Sequence, residues 1–336
     1  MSGTGAGSGF GSSISVVLCT HNRCGVLREV LQDLAASRLP DSSDWEVLVV
    51  DNNSSDQTRQ LVEGFCAQNQ RIRYVFEPRA GKSHALNSGI KHARGELLAF
   101  VDDDVRIDPG WLHHLTAPLG DRRWAGVGGR TLVRQKTKLP PWFAFEDFGS
   151  IVCAHFDLGN QPQELGRPPY GANMAFRKSM FEKYGGFRTD LGPSPYNYIP
   201  RCGEDTDFGH RLLAAGERIR YEPQAIVYHP VPEHRLDQNY LLSFWFDHGR
   251  AAARNIDKTA VVWGVKRDYL SIVKHALMVI PVNAFRWCFS LDPQRRFRYK
   301  CWIWRAAGEI AEMWRRSLGI GKGSTQQIAE ADSSSR

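Results

Sequence analysis

The segment Glu96-Leu-Leu-Ala-Phe-Val-Asp-Asp-Asp104 joins an apolar run of strand length to three adjacent carboxylates. In parallel sheets, ligands bind beyond the carboxyl ends of the strands, which is where this acidic triplet would lie. Three clustered carboxylates repel one another and need a cation, and hard oxygen ligands of this kind suit Mg²⁺ or Mn²⁺ bridging to phosphates. Taken alone, the triplet also fits an acidic turn with helix-capping aspartates.

Strands and helices alternate along the chain up to this segment. Apolar and β-branched runs predict the strands, and apolar residues at helical spacing predict the helices between them. The predicted strands are 14–18, 46–50, 72–76 and 96–101, and the predicted helices are 24–38, a segment through Leu61 and Phe65, and 83–93. This alternation implies right-handed β-α-β units. The sequence therefore predicts an α/β fold with a mostly parallel sheet and helices on both faces.

The pattern becomes less regular after Pro109. Residues 126–133 predict another strand, and residues 135–170 are rich in proline and aromatic side chains, which favours loops. The later elements predicted are helices at 205–215 and 236–254 and two short strands at 219–221 and 225–228.

The overall composition is that of an ordinary globular protein. The chain has 336 residues, 42% apolar and 24% charged, which excludes collagen-like and wholly disordered classes. Its seven cysteines contain no C-x-x-C pair, which argues against a disulfide framework or a zinc ribbon and favours a reducing compartment. We therefore expect a cytoplasmic protein, whose Gly/Ser-rich residues 1–13 are flexible and do not resemble a signal peptide.

The net charge of +7 is concentrated near the C-terminus. Residues 264–318 contain 11 Lys and Arg against 4 Asp and Glu, so the rest of the chain is neutral in sum. Two apolar stripes at helical spacing, 269–280 and 303–318, predict two amphipathic helices, the first of them running up to Pro281. The longest uncharged run there has eleven residues, whereas a helix that spans a membrane needs about 20.

These amphipathic helices leave more than one interpretation open. Aromatic residues beside arginines suit an anionic membrane surface, so the region could hold the protein at the cytoplasmic face of a membrane. Alternatively, both stripes pack on the rest of the chain or form a dimer, and the oligomeric state stays unassigned. The residues that favour a membrane in the second stripe are Trp302, Trp304, Trp314, Arg305, Arg315 and Arg316.

Several polar segments follow predicted strands or open a predicted helix. Each of them alone also fits a turn or a helix cap. A lone histidine such as His229, which ends a predicted strand, is more often structural than a ligand, although a neutral imidazole beside carboxylates can bind a metal. The segments are Thr20-His-Asn-Arg23, Asp51-Asn-Asn-Ser-Ser55 and Gly203-Glu-Asp-Thr-Asp207.

Taken together, six segments resemble the family 2 glycosyltransferases of the GT-A fold. The resemblance covers about residues 14–230, and its specificity comes from the order and spacing of segments that are weak singly. It implies a Rossmann-like sheet. The segments are Ser15-Val-Val-Leu-Cys-Thr-His-Asn-Arg23, Val49-Val-Asp-Asn-Asn-Ser-Ser-Asp-Gln-Thr58, Ala85-Leu-Asn-Ser-Gly-Ile90 with Arg94-Gly-Glu96, Val101-Asp-Asp-Asp104, Gly171-Ala-Asn-Met-Ala-Phe-Arg177 and Gly203-Glu-Asp-Thr-Asp-Phe208.

The resemblance implies an inverting transfer from a nucleoside-diphosphate sugar. Asp104 matches the principal ligand of a divalent cation, Mg²⁺ or Mn²⁺, in the family's DXD element. Asp102 would support it, and His229 matches a late histidine that some members use on the metal. Asp205 matches the general base, which takes the proton of the acceptor hydroxyl.

The resemblance also implies a nucleotide site. Many members have a second aspartate that reads uracil where this chain has Asn52, and an amide can donate as well as accept, so UDP, dTDP and GDP all remain open. The other positions that match nucleotide contacts are Thr20, Asn22 and Asp51, with Lys82 as a basic residue near the nucleotide and Asp103 near the ribose.

The acceptor cannot be named from the sequence. Residues 135–170 and 232–260 should shape its site, with Trp142, Phe143 and Tyr170 as candidate stacking platforms for a sugar or a lipid head group. Packing in the core is the alternative for each of these aromatic residues. Asn173 and Glu204 lie in segments of the resemblance and are further candidates on the acceptor side.

The domain organisation follows from these boundaries. We expect a glycosyltransferase domain at 14–258, with a nucleotide half at 14–130 and an acceptor half at 131–258. A basic helical appendage follows at 259–318 and a disordered tail at 319–336. A nucleotidyltransferase is an alternative, although the usual Gly-rich loop after the first strand is missing. A non-catalytic basic protein that binds nucleic acid or membrane is the other, and the neutral, motif-bearing first 230 residues argue against it, so no nucleic-acid partner is expected.

Overall fold

The computed structural model describes residues 12–37, 39, 44–134, 139–144, 148–196, 198–255, 261–262 and 265–318. They fall in two compact units. The first takes its residues from 1–137, 153–195 and 204–231, and the second from 138–152, 196–203 and 232–336. Most of the predicted flexible N-terminus and the whole predicted tail at 319–336 lie outside the described residues.

The strands and helices are numbered here in chain order. The strands are β1 Ile14–Thr20, β2 Trp45–Asp51, β3 Ile72–Phe76, β4 Leu97–Asp102, β5 Arg106–Ile107, β6 Trp124–Val133, β7 Gln163–Glu164, β8 Asn173–Arg177, β9 Arg218–His229, β10 Val261–Val262 and β11 Val265–Lys266. The helices are α1 Cys24–Ala35, α2 Thr58–Gln68, α3 Lys82–His92, α4 Trp111–Thr116, α5 Phe148–Val152, α6 Lys178–Tyr184, α7 Glu204–Ala214, α8 Gln238–Arg254, α9 Arg267–Lys274, α10 Ile280–Phe289 and α11 Pro293–Ser317.

Nine of the described strands form the central sheet of the first unit. Its order is β3-β2-β1-β4-β8-β6-β9-β5, and β7 pairs with β9. The four N-terminal strands are parallel, as the alternation of strands and helices predicts. Beyond them the sheet becomes mixed, because β8 runs antiparallel to both β4 and β6.

The two short strands predicted near residue 220 are one continuous strand, β9. Its pairing with β6 shifts register, since Gly129 faces Glu222 while the next residue of β6 faces Ile226. Pro223 lies in the gap and has no N–H to donate to a ladder, so a local irregularity accommodates it. The prediction of two separate strands is therefore wrong: the proline marks a bulge within a strand.

Both faces of this sheet are covered by helices, as predicted. Neighbouring residues of β1 point to opposite faces, so Leu18 joins the core under α1 and α4 while Val17 joins the core under α3, α6 and α7. The helix α3 approaches the sheet closely, because a Cβ at Gly89 would stand 2.4 Å from Val17 Cγ1. At its other end the helix begins with Lys82, whose Nζ lies 2.7 Å from Asp102 Oδ1 at the end of β4.

The second unit is built around the pairing of α8 with α11. A Cβ on Gly249 would lie 2.0 Å from the Arg305 carbonyl oxygen, and one on Gly308 would lie 2.0 Å from that of Phe246. These two glycines allow the helices to touch backbone to backbone. The helix α8, which the sequence places at the end of the catalytic domain, lies in this unit. So does α5, a short helix within the stretch expected to form loops.

The first C-terminal helical segment continues through Pro281 instead of stopping there. A π-helical turn at His275–Val279 connects α9 to α10, and Pro281 lies in the first turn of α10. The wider turn relieves the clash of the proline ring with the preceding carbonyl, which would otherwise end the helix. In the described part of the chain, no helix is both long and apolar enough to cross a bilayer.

Candidate active site

The carboxyl ends of three adjacent parallel strands bring the predicted site residues together. Thr20 at the end of β1 is in register with Asp51 at the end of β2. On the other side, Cys19 of β1 is in register with Asp102 at the end of β4. The first part of the site follows from this topology, because parallel neighbours end at the same edge of a sheet.

Asp102, Asp104 and His229 form a cluster at this edge. One ligand atom from each lies within 4.8 Å of those of the other two. His229 reaches it from the end of β9, with Nε2 3.7 Å from Asp104 Oδ1. Its Nδ1 lies 2.7 Å from the Pro230 carbonyl oxygen, so a proton held on Nδ1 leaves the lone pair of Nε2 facing the carboxylates.

The donor set of this cluster fits a divalent cation. Asp104 and His229 are buried, and Asp104 Oδ1 has no hydrogen-bond partner among the described residues. A buried carboxylate oxygen without a partner is costly, and a cation is the partner that its charge calls for. Two carboxylates and an imidazole suit Mn²⁺ or Mg²⁺.

Asp103, the middle residue of the triplet, faces a different set of partners. Its carboxylate accepts a hydrogen bond from Thr20 Oγ1 at 2.7 Å and forms an ion pair with Arg23 Nη1 at 2.8 Å. Arg23 also reaches Asp104 Oδ2 at 2.7 Å through its other terminal nitrogen. Burial raises the pKa of Asp103 to about 6, although Arg23 opposes the shift.

Arg23 is a site residue to which the family resemblance assigns no role. The signal was present in Thr20-His-Asn-Arg23, which places a cation three residues beyond a strand that ends beside the acidic triplet. The planar fork of the guanidinium lets its two terminal nitrogens each reach a different carboxylate. Arg23 thereby offsets part of the repulsion between Asp103 and Asp104.

Lys82 links the acidic triplet to the start of α7. Its Nζ lies 2.7 Å from Asp102 Oδ1 and 3.9 Å from Glu204 Oε1. Burial alone would lower the pKa of Lys82, but Asp102 and Glu204 raise it above its ordinary value, so the ammonium stays charged. The sequence predicts Lys82 beside the nucleotide, and the structure places it at the edge of the predicted metal site.

The first turn of α7 presents two carboxylates in different surroundings. Asp205 is half-buried, and its carboxylate accepts hydrogen bonds from the backbone N–H of Gly171 at 2.6 Å and of Thr206 at 2.7 Å. Glu204 is buried, and burial together with the neighbouring Asp205 raises its pKa well above the ordinary value. Lys82 opposes this shift, although its closer partner is Asp102.

Asp207, the third acidic residue of this turn, has a structural role. Its carboxylate pairs with Arg188 at 3.3 Å and with Arg211 at 2.9 Å. Asp205 is therefore the most accessible carboxylate of the turn, and its two backbone hydrogen bonds fix its orientation.

Two of the predicted nucleotide contacts also order the loops that carry them. Asp51 accepts hydrogen bonds from the Tyr74 hydroxyl at 2.7 Å and from the Ser54 N–H at 2.9 Å. Asn22, in a left-handed conformation with φ of 52°, accepts from the Ser55 N–H at 2.7 Å. These bonds tie the loop after β1 to the loop after β2.

Asn52 is engaged by the loop that precedes α3. Its amide nitrogen donates to the carbonyl oxygens of Glu77 at 3.2 Å and Arg79 at 2.6 Å, and its carbonyl oxygen accepts from the Gly81 N–H at 2.7 Å. Both protons of the amide are thereby used. These bonds give Asn52 a structural role in the loop, and an aspartate could not make the same two donations. Contact of Asn52 with a base stays a prediction.

Replacing Asn52 with aspartate should damage the site through this loop. The carboxylate would face two carbonyl oxygens and leave them without donors, so we expect a loss of about 1–3 kcal/mol in unfolding free energy. We also expect donor binding about tenfold weaker. Denaturant melts and calorimetric titration of donor would measure both. Asn69→Asp is the control, because the Asn69 side-chain oxygen accepts from the Arg71 N–H and an aspartate oxygen can do the same. Tighter donor binding by Asn52→Asp would instead indicate contact with the base.

The aromatic acceptor candidates belong to different units. Trp142 lies in the second unit, where its ring packs 4.5 Å from that of Phe297. Tyr170 lies in the first unit, immediately before the Gly171 that binds Asp205, and its ring packs 5.3 Å from that of Phe156. Of the two, Tyr170 is the one that the structure brings to the candidate base.

Asn173 is committed to the sheet. Its carbonyl oxygen accepts from Trp111 Nε1 at 2.8 Å, and its amide nitrogen donates to the carbonyl oxygens of Arg130 and Ala225 at 3.0 and 2.8 Å. Asn173 is also fully buried, so its side chain serves the sheet, and its place on the acceptor side stays a prediction.

Comparison with known proteins places the sequence in a family. The profile of glycosyl transferase family 2 matches residues 15–185. The succinoglycan biosynthesis protein ExoM of Rhizobium meliloti (strain 1021) is 31% identical over 260 residues, which cover 75% of this chain and 79% of the relative. The glucosyl-dolichyl phosphate glucuronosyltransferase of Haloferax volcanii is 26% identical over 238 residues, which cover 69% of this chain and 74% of the relative.

A solved structure has the same fold. It is the mannosyltransferase PcManGT from Pyrobaculum calidifontis, in complex with GDP-Man and Mn²⁺, which is 19% identical with a TM-score of 0.59 over 93% of this chain and 89% of that chain. The fold and the motifs thus define a glycosyltransferase of the GT-A class. The chain belongs to glycosyl transferase family 2, as the six segments predict, and the nucleotidyltransferase alternative is set aside.

Proposed function

We propose that this protein is a metal-assisted, inverting glycosyltransferase that moves a sugar from a nucleoside-diphosphate sugar to an acceptor hydroxyl during the synthesis of a polysaccharide or glycolipid. The observation that carries the proposal is the convergence of Asp102, Asp104 and His229, with a buried Asp104 oxygen that has no hydrogen-bond partner among the described residues. The named activities of the relatives and the ligands of the solved neighbour point in the same direction.

Asp102, Asp104 and His229 would hold the cation, with Asp104 as its principal ligand. When bound, a divalent cation supplies Lewis-acid neutralisation of the charge that develops on a diphosphate leaving group. Lys82 and Arg23 add two fixed positive charges at the same edge, paired with Asp102 and with Asp103 and Asp104. The two cations offset two of the three negative charges of the acidic triplet, and a bound divalent cation would offset the rest, so that a phosphate group can approach the edge.

Asp205 would act as the general base. Its carboxylate takes the proton of the acceptor hydroxyl as that oxygen attacks the anomeric carbon from the face opposite the diphosphate. The hydrogen bonds from Gly171 and Thr206 hold the carboxylate in one orientation during this transfer. A single displacement of this kind inverts the anomeric configuration and needs no covalent intermediate on the enzyme.

The experiment is a panel of UDP-, dTDP- and GDP-sugars incubated with the full chain, with Mn²⁺ or with EDTA. We expect one nucleotide class to release its nucleoside diphosphate in Mn²⁺ and to fall to background in EDTA, and an α-linked donor to give the β anomer first by NMR. Equal release in EDTA would contradict the role of the metal. Release of a sugar phosphate with a nucleoside monophosphate, or retention of configuration, would contradict the proposed transfer.

A further inference from the structure

The face formed by α9, the π-helical turn and α10 carries a stripe of exposed apolar side chains. Its members recur every four residues, which places them on one side of the helical segment. They remain accessible although large, and the rings of Phe285 and Phe289 contact each other at 4.6 Å. The stripe consists of Val273 (52% exposed), Leu277 (71%), Pro281, Phe285 (65%) and Phe289 (70%), with Met278 and Val282 beside it.

The second predicted stripe, on α11, is in part used for packing inside the unit. Its helix meets α8 at the close approach of Gly249 and Gly308. Two of the arginines expected to face a membrane are engaged there, since Arg315 pairs with Glu312 and Arg316 donates to a carbonyl oxygen of α8. The side of α11 that faces α8 therefore packs within the unit, whereas the apolar stripe on α9 and α10 is exposed.

The surroundings of the open stripe are cationic. Between Tyr269 and Leu291 the sequence contains no Asp or Glu, and exposed Lys274 and Arg286 lie within it. The start of α11 adds more positive charge, with one acidic residue, Asp292, beside it. The further cations there are Arg295, Arg296, Arg298 and Lys300.

We propose that this face docks on the surface of an anionic phospholipid bilayer. Val273 to Phe289 spans about 24 Å at 1.5 Å per residue, so the stripe would lie along the plane of the membrane with its apolar side chains at the acyl boundary. Lys274, Arg286 and the cations of α11 would meet lipid phosphates. The proposal concerns attachment and does not depend on the sugar that the enzyme transfers.

Charge favours a lipid surface over a second copy of the chain. In a symmetric dimer each copy presents the same patch to the other, so the cationic rims would be brought together. Like charges across an interface oppose association, whereas an anionic bilayer complements them. A contiguous apolar patch surrounded by Lys and Arg side chains is typical of an amphipathic helix at a membrane surface.

The test is co-sedimentation of the full chain with vesicles of phosphatidylcholine mixed with phosphatidylglycerol, and with vesicles of phosphatidylcholine alone. We expect binding to the anionic vesicles, weakened by salt, and little binding to the neutral ones. Phe285→Ser combined with Phe289→Ser should lower the partition coefficient at least about tenfold. Phe76→Ser is the matched control, because Phe76 is an exposed phenylalanine (51%) of the first unit.

Three outcomes would overturn the proposal. One is failure of the full chain to sediment with anionic vesicles, and another is equal sedimentation of the parent and the double variant. The third is a dimer by sedimentation equilibrium that the double variant loses, without any vesicle binding, which would assign the face to a second copy. Donor hydrolysis should be the same in parent and double variant, so a failure of attachment is distinguishable from a failure of the proposed transfer.

Discussion

Asp104→Ala should lower kcat/KM by about 10³-fold or more and abolish the dependence of turnover on Mn²⁺, because a bound metal contributes several kcal/mol to the transition state. Asp104 is one of the two buried members of the cluster. Its Oδ1 faces His229 at 3.7 Å and has no hydrogen-bond partner in the described part of the chain, while Oδ2 pairs with Arg23. Without this carboxylate, only Asp102 and His229 of the three candidate ligands remain. Titration calorimetry of Mn²⁺ in the presence of donor measures the loss directly.

Asp103→Asn is the matched control for this experiment. Asp103 is its neighbour in sequence and equally buried, but it faces Thr20 and Arg23 and lies outside the cluster of possible ligands. We expect Asp103→Asn to keep the affinity for Mn²⁺ and to alter donor KM. Both variants should remain folded by circular dichroism, because each removes one charge from a crowded group. If Asp104→Ala keeps the turnover of the parent, the assignment of the metal site is wrong.

The N-terminal half of the fold could be predicted because its signals are local. A buried parallel strand is a continuous apolar run, and the helix after it has a periodic apolar face. The predicted bounds of β1 to β4, α1 and α3 therefore agree with the observed ones within a few residues, and α2 contains the predicted Leu61 and Phe65. Beyond β4 the strand order depends on pairs far apart in sequence, such as β6 with β9. The sequence predicts a break between two strands around Pro223 and the end of a helix at Pro281, and both prolines lie inside elements that adapt around them.

In the candidate site, too, some features depend on local sequence and others on residues far apart in the chain. The acidic triplet, the start of α7 and His229 are predictable as candidates because each follows or opens an element of recognisable type, and the structure brings Asp102, Asp104 and His229 together. The roles of Asn52 and Arg23 could not be found in this way, because they depend on which groups the folded chain places opposite. Asn52 meets the carbonyl oxygens of Glu77 and Arg79, and Arg23 bridges two aspartates from another strand end.

Asp205→Asn should keep donor binding and lose about 10²–10⁴-fold in kcat, the usual contribution of a general base. The amide is nearly the same size and can still accept one of the two backbone hydrogen bonds, but it has no basic oxygen for the proton of the acceptor. Single-turnover kinetics with saturating donor and acceptor would isolate the chemical step. Calorimetric titration of the donor should give the same Kd for parent and variant.

Substitutions of two neighbouring carboxylates test whether the loss of kcat in Asp205→Asn reflects the loss of a general base. Glu204→Gln removes a buried carboxylate whose nearest partner is Lys82, so we expect a smaller loss of kcat and a change in Mn²⁺ or donor affinity. Asp207→Asn weakens the pairs with Arg188 and Arg211, so its effect should be on the melting temperature. If Glu204→Gln loses more kcat than Asp205→Asn, the base is Glu204, since its raised pKa also suits proton transfer near neutral pH. If Asp205→Asn loses donor affinity alone, the role of Asp205 is binding.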